Sequence, residues 1–153
     1  MSNTTQDRAL AQVDVRGPRF VAWVSTAVLT VAILASVEAP AVSAAILAAQ
    51  AVVFAIGATL GPRQHPYGLI FAKFVVPRLG PVTEREPVAP LKFAQLVGFI
   101  FAVVAAIGFA GGLAPLGLAA TGLALVAAFL NAAFGICLGC QIYPLVARLT
   151  PTR

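Results

Sequence analysis

The stretch FVAWVSTAVLTVAILASV, residues 20–37, decides the fold, because it runs from Phe20 to Val37 without one charged side chain. At a helical rise of about 1.5 Å per residue it would extend roughly 27 Å, close to the hydrocarbon thickness of a bilayer. A secretory signal would open with cations too, but its apolar core would be shorter and a small-residue cleavage site would follow. Ala35-Ser36-Val37 matches such a site only weakly, so the stretch is read as a retained spanning helix.

The same texture recurs outward from it. Glu38-Ala39-Pro40 is a short turn, and Pro40 suits the first turn of a new helix because its missing N–H is not needed there. Uncharged runs follow at residues 41–60, 93–110 and 116–134, the last two separated by the turn Gly111–Pro115. Glycines within these runs, Gly98, Gly108 and Gly122, and alanines such as Ala119 and Ala127 favour close helix contact in lipid. The expected fold is therefore all-α and integral to the membrane. Its four transmembrane helices form two hairpins within a single domain over 1–153, behind a mobile tail at residues 1–15.

Composition agrees. Hydrophobic residues make up 60% of the 153 positions and charged residues 10%, with a mean hydropathy of +0.96; a soluble domain is typically about half apolar and a quarter charged. The net charge of +5 comes without RNA- or DNA-binding motifs or basic–aromatic interleaving, so nucleic acid is not an expected partner. The lipid bilayer is, with basic loops held at an anionic leaflet.

The longest polar connection, Gly61 to Lys92, contains an amphipathic piece at about residues 67–76, too short to cross a bilayer. It is read as an interfacial or re-entrant helix. Pro77–Pro81 ends it, and Pro87 and Pro90 are expected to keep the following segment extended. Arg8, Arg16 and Arg19 precede the first span; Arg63, Lys73, Arg78, Arg85 and Lys92 lie between the second and third; Arg148 and Arg153 follow the fourth. The turns around Glu38 and Gly111 hold no Lys or Arg. By the rule that cytoplasmic loops keep the excess of cations, both termini and the central loop are expected in the cytoplasm.

Cys137-Leu138-Gly139-Cys140 holds the only two cysteines. This spacing puts two thiols on one helical face, so a disulfide can close and reopen locally. Gly135 is expected to break the fourth helix just before the pair, placing Cys137 at the start of a short new helix where its thiolate would be favoured. Three readings stay open: a thiol–disulfide or sulfur-handling site; a zinc site shared across a dimer or completed by His65, since two thiols are half of a closed centre; and small buried side chains that pack beside glycine. A permanent disulfide is the least expected state in a reducing cytoplasm.

Other polar residues are read more plainly. Asn131, inside the fourth span, is expected to make a helix–helix hydrogen bond, with substrate contact as the alternative. His65, the sole histidine, is expected to be an exposed turn residue, Tyr67 and Tyr143 interfacial anchors, and Glu84, Arg85 and Glu86 solvated loop pairs. Without charges inside the apolar runs, a proton or ion path through the bundle is not expected.

Three segments together, Val13-Asp14-Val15-Arg16-Gly17-Pro18-Arg19-Phe20, then Phe74–Pro81 with Glu84–Glu86 and Phe93-Ala94-Gln95, and the ending Cys137-Leu138-Gly139-Cys140-Gln141-Ile142-Tyr143, resemble a bacterial four-helix membrane family catalogued as a domain of unknown function, number 4395. The resemblance covers nearly the whole chain after the tail and implies a bacterial plasma membrane location. It points to Cys137 and Cys140 as the working pair, to Arg16, Arg19 and Arg78 as neighbours that tune the thiols, and to thioredoxin-like or rhodanese-like partners. The leading expectation is a membrane thiol-redox or sulfur-transfer component in which Cys137 attacks a partner's disulfide or persulfide and Cys140 resolves the mixed species. No resident cofactor is expected beyond the zinc alternative. The other two classes are an accessory or scaffold subunit of a larger membrane complex and a lipid- or quinone-binding bundle.

Overall fold

The computed structural model describes residues 11–150. A short strand β1 (Gln12–Asp14) leads into helix α1 (Arg16–Glu38), followed by α2 (Pro40–Leu60), a short α3 (Pro66–Ile70), strand β2 (Arg85–Pro87), and helices α4 (Val88–Ala110), α5 (Ala114–Phe134) and α6 (Leu138–Leu149). Four of these, α1, α2, α4 and α5, are 21–23 residues long with mean hydropathies of 1.9–2.3, long and apolar enough to cross a bilayer. The protein is an all-α integral membrane protein.

Each helix boundary has a local cause. Pro40 occupies the first turn of α2, and Gly61 ends it with a φ of 89° that favours glycine. The third spanning helix begins at Val88, not at Phe93, and Pro90 does not keep its surroundings extended. Proline is tolerated in a first turn, where no N–H partner is missing, so α4 starts on the polar side of its apolar run. The amphipathic piece after α2 is helical, as α3, a π-helical segment Phe71–Val75 and a 3-10 turn Val76–Arg78. Phe71 is buried with its ring centroid 5.5 Å from that of Phe20, while Phe74 is exposed with Lys73 Nζ 5.4 Å over its ring. Within the expected mobile tail of residues 1–15, residues 12–14 form β1, which pairs antiparallel with β2, Val13 opposite Glu86; residues 1–10 lie outside the described residues.

Helix α1 packs on α2 and α5, and α4 packs on α2 and α5, so the four spans close a ring. The pairing of β1, just before α1, with β2, just before α4, puts the starts of those helices at one end, the polar end. The chain's up-and-down course brings the end of α5 and all of α6 to the same place, as the contacts of α6 with α4 require. Arg16, Arg19, Arg63, Lys73, Arg78, Arg85, Lys92 and Arg148 are therefore gathered at the polar end, whereas Arg8 and Arg153 lie outside the described residues.

The core is made mainly of small residues. Ala32 and Ala105 are fully buried around Leu29 and Leu47, and Ala102 beside Ala51 and Phe54, which lets backbones approach in a solvent as apolar as the side chains themselves. Buried hydroxyls are satisfied within the protein: Ser43 Oγ donates to the Ala32 carbonyl at 2.8 Å and Thr121 Oγ1 to the Gly117 carbonyl at 2.7 Å. Large apolar side chains instead point outward along the spans, Val37 76% exposed, Leu34 67% and Ile107 62%, as lipid contact favours.

Candidate functional site: a cysteine pair above an intramembrane cavity

The site begins where α5 stops. Gly135 takes a left-handed φ of 69°, its N–H bonds the Asn131 carbonyl at 3.0 Å, and the Ile136 N–H reaches back to the Leu130 carbonyl at 3.2 Å. This closure satisfies the last carbonyls of the helix and turns the chain sharply. Two residues later Cys137 becomes the N-cap of α6. Its sulfur accepts the backbone N–H of Cys140 at 3.3 Å, and Cys137 and Cys140 are joined as a disulfide with Cα atoms 5.2 Å apart. The structure thus shows the disulfide that a reducing cytoplasm makes the least expected resting state.

Helix α6 is pinned by its glycine. A Cβ on Gly139 would lie 2.7 Å from both Cα and Cβ of Ala94, so only glycine lets the cysteine turn lie directly on α4. Tyr143, one turn on, brings its ring 5.9 Å from Phe93, so the residue expected to be an interfacial anchor makes a packing contact with α4. Pro144 cannot donate the N–H that the Cys140 carbonyl would receive in a regular helix.

The three arginines named with the pair are spread over the polar end. Arg16 makes a 2.7 Å ion pair with Asp14 and donates to the Gly80 carbonyl at 3.3 Å; its hydrogen bonds hold the Asp14 carboxyl below the ordinary range. Arg78 donates to the Phe74 carbonyl at 2.7 Å. Arg19 comes nearest in the chain's connectivity, its guanidinium donating to the Ala132 and Ala133 carbonyls at 3.3 and 3.4 Å, where it caps α5 just ahead of the cysteine turn.

Below the disulfide lies a partly open cavity of about 260 Å³ lined by α1, α4, α5 and α6, with Phe54 of α2. Cys137 and Gly139 border one end, and Phe101 and Leu123 lie at the other; the seven helical steps along α4 from Ala94 to Phe101 correspond to roughly 10 Å of depth. The walls are mostly apolar. Their polar side chains are Ser25, Gln95 and Asn131, and no Lys, Arg, Asp or Glu lines them.

Two of those polar groups belong to a network that the sequence reading did not assemble. Tyr67 Oη donates to Gln50 Oε1 at 2.7 Å, and Gln50 Nε2 reaches Ser25 Oγ at 3.5 Å. His65, expected to be an exposed turn residue, is 1% exposed. Its Nδ1 accepts the Tyr67 N–H at 3.2 Å, capping α3, and its ring fills the space left by Gly57, where a Cβ would lie 2.5 Å from Cδ2. Burial lowers its pKa to about 4, so the ring is neutral with the proton on Nε2. Nε2 and Gln95 Oε1 are both buried and both border Gly57, a donor facing an acceptor, and Gln95 is the polar partner that partly offsets the effect of burial on the ring. Gln50 and Gln95 carry the same signal as Asn131, an amide within an apolar run, and that signal could have found them.

Among the described residues no three His, Cys, Asp or Glu side chains converge as a metal cluster. What the fold and site define is a polytopic helical membrane protein with a Cys-x-x-Cys pair at a helix N-terminus, above a cavity within the bundle. The chain belongs to the family described as domain of unknown function (DUF4395), which matches residues 13–148. No curated protein and no solved structure matches it.

Proposed function

We propose that this protein is a membrane thiol-redox or sulfur-transfer component that works through Cys137 and Cys140 with a soluble thioredoxin-like or rhodanese-like partner. The observation that carries this reading is the position of Cys137 at the N-cap of a 12-residue helix, its sulfur accepting the Cys140 N–H. An anionic sulfur there gains a hydrogen bond and faces the positive end of the helix dipole, both of which favour thiolate. Thiol–disulfide exchange is reversible, so Cys137 is the attacking thiolate in one direction and the leaving thiolate in the other, with Cys140 as the second sulfur. Arg19, capping the preceding helix, adds positive charge to the same turn. The gathering of cations at the polar end supports a cytoplasmic site in a bacterial plasma membrane, with both termini on that side.

The test is the alkylation rate of Cys137 in a Cys140→Ala protein as a function of pH. The expected midpoint lies below the ordinary thiol value of about 8.5. A midpoint at or above it, together with no mixed disulfide or persulfide on Cys137 when the variant is acid-quenched from cells, removes the reading.

A further inference from the structure

We propose that the cavity beneath Cys137 binds the ring of a lipid-soluble quinone, which takes the electrons of the reduced cysteine pair. This builds on the thiol-redox reading above and gives it a direction, oxidation of the partner. Four observations bear on it. The cavity reaches the cysteine turn through Cys137, while Cys140 does not line it. Its other end includes Leu123, which is 60% exposed on the lipid-facing surface of α5, an exit for an apolar tail. The walls carry no cation, so thiosulfate, sulfite or another small sulfur anion would be buried without a counter-charge, which is costly. Finally, Asn131 lines the cavity and its side chain makes no hydrogen bond among the described residues. An unpartnered amide in an apolar span favours a ligand with carbonyl oxygens, and Ser25 and Gln95 offer further polar contacts on the facing walls.

A plain acyl chain would use the apolar walls but neither the amide nor the sulfur. A quinone ring uses both. The cycle balances as follows. A partner thiolate attacks the disulfide at Cys137 and Cys140 leaves and takes up a proton; the second partner thiol then attacks the partner sulfur of the mixed disulfide, completing the partner's own disulfide and releasing Cys137 as the stabilised thiolate, which on taking up the second proton leaves Cys137 and Cys140 as thiols. Those two thiols then lose their S–H bonds and form one S–S bond. The electron pair and both protons pass to the quinone, whose two carbonyls become hydroxyls.

The experiment uses the full chain in phospholipid nanodiscs, with the pair reduced and the reductant removed, and decylubiquinone as probe. Quinol formation is read by absorbance and thiol state by maleimide gel shift, with glutathione disulfide as a parallel, water-soluble oxidant. The expected result is one quinol per cysteine pair at a rate that saturates with quinone. In Asn131→Leu, which loses one hydrogen bond to the ring, the ratio of the quinone rate to the glutathione rate should fall about tenfold. Ala127→Phe, which fills the cavity, should lower it further. Saturation in the unmutated protein stands as a measure even if a variant fails to fold. If the thiols exchange with glutathione disulfide but stay reduced with quinone, or oxidise without saturation and equally in both variants, the quinone site is overturned and the thiol-redox reading survives. If neither oxidant acts, both fall.

Discussion

At the end of the bundle closed by the Glu38–Ala39 and Gly111–Leu113 turns, helices meet backbone to backbone. A Cβ on Gly108 would lie 2.8 Å from the Gly117 nitrogen, and one on Gly117 would lie 2.8 Å from the Phe109 ring. At the polar end the same helices surround a cavity of about 260 Å³ and hold a disulfide, a buried histidine and three amide side chains. The tight end sets how the spans sit against one another. The polar end accepts looser packing and buried polar atoms, which cost stability and which chemistry uses. If that division is right, similar steric insults at the two ends should have different consequences.

The largest expected effect is Gly108→Ala, at the tight end. Backbone atoms of Gly117 cannot yield cheaply, so we expect a loss of about 1–3 kcal/mol, measured by denaturant titration in mixed micelles, with the thiol exchange rate of the folded fraction unchanged. Gly139→Ala is the matching insult at the polar end, where its Cβ meets Ala94 at 2.7 Å. Helix α6 lies outside the ring of spans and can shift, so the expected loss is in the exchange rate of Cys137 and less in unfolding. Equal loss of stability from both changes would break the comparison.

His65 probes the polar end by pH. Its folded pKa, about 4, lies below the ordinary 6.5 because burial disfavours the charged ring. Protonation therefore favours the unfolded state. The stability that neutral His65 contributes is present above pH 6.5 and falls as pH drops from there toward 4, by up to about 1.4 kcal/mol per pH unit. His65→Gln, which stays neutral, should flatten that slope. Thermal unfolding between pH 7 and 4.5 gives the readout, and an unchanged slope in the variant would remove His65 as its source.

How much of this was legible in the sequence follows from which forces are local. Residues 20–37 and the three runs like them declare the spans because length and apolarity alone satisfy a bilayer, and Gly135 declares the break before Cys137 because few residues other than glycine end a helix that way. The apolar run begins at Phe93, five residues after the first residue of α4, Val88, and the sequence does not show the earlier start because a proline such as Pro90 reads equally as an extended segment or as a first helical turn. Strand β1 is hard to read from sequence: the alternation around Gln12-Val13-Asp14 is too short to signal a strand, and its pairing with Arg85-Glu86-Pro87 is made by backbone groups that any sequence supplies. The burial of His65 depends on the absent side chain of Gly57, on another helix, and spacing along the chain does not show that contact. The cavity is likewise a property of four helices together. Its polar residues were each visible as amides or hydroxyls in apolar runs, but their convergence below Cys137 was not.

The smallest expected effect, also at the polar end, has the opposite dependence on pH from His65. Glu86, in β2 opposite Val13, has its carboxyl pushed up to about 7 from 4.5, first by burial and then by the Glu84 carboxylate. A raised folded pKa means that the folded state holds the proton more tightly than the unfolded chain, so the contribution is full below about pH 4.5 and is lost as pH rises through 7. The side chain is partly exposed to solvent, so the energy is modest, and it should be felt locally, in the β1–β2 pairing and the adjoining Val88 N–H to Ala11 carbonyl bond of 2.8 Å. Amide exchange at Val88, corrected for its intrinsic pH dependence, should quicken between pH 6 and 8. Glu86→Gln, neutral throughout, should abolish that quickening without altering the His65 slope at lower pH. If Val88 exchange does not change in either protein, strand β1 is held by its backbone bonds alone, and the polar end has one titrating support, not two.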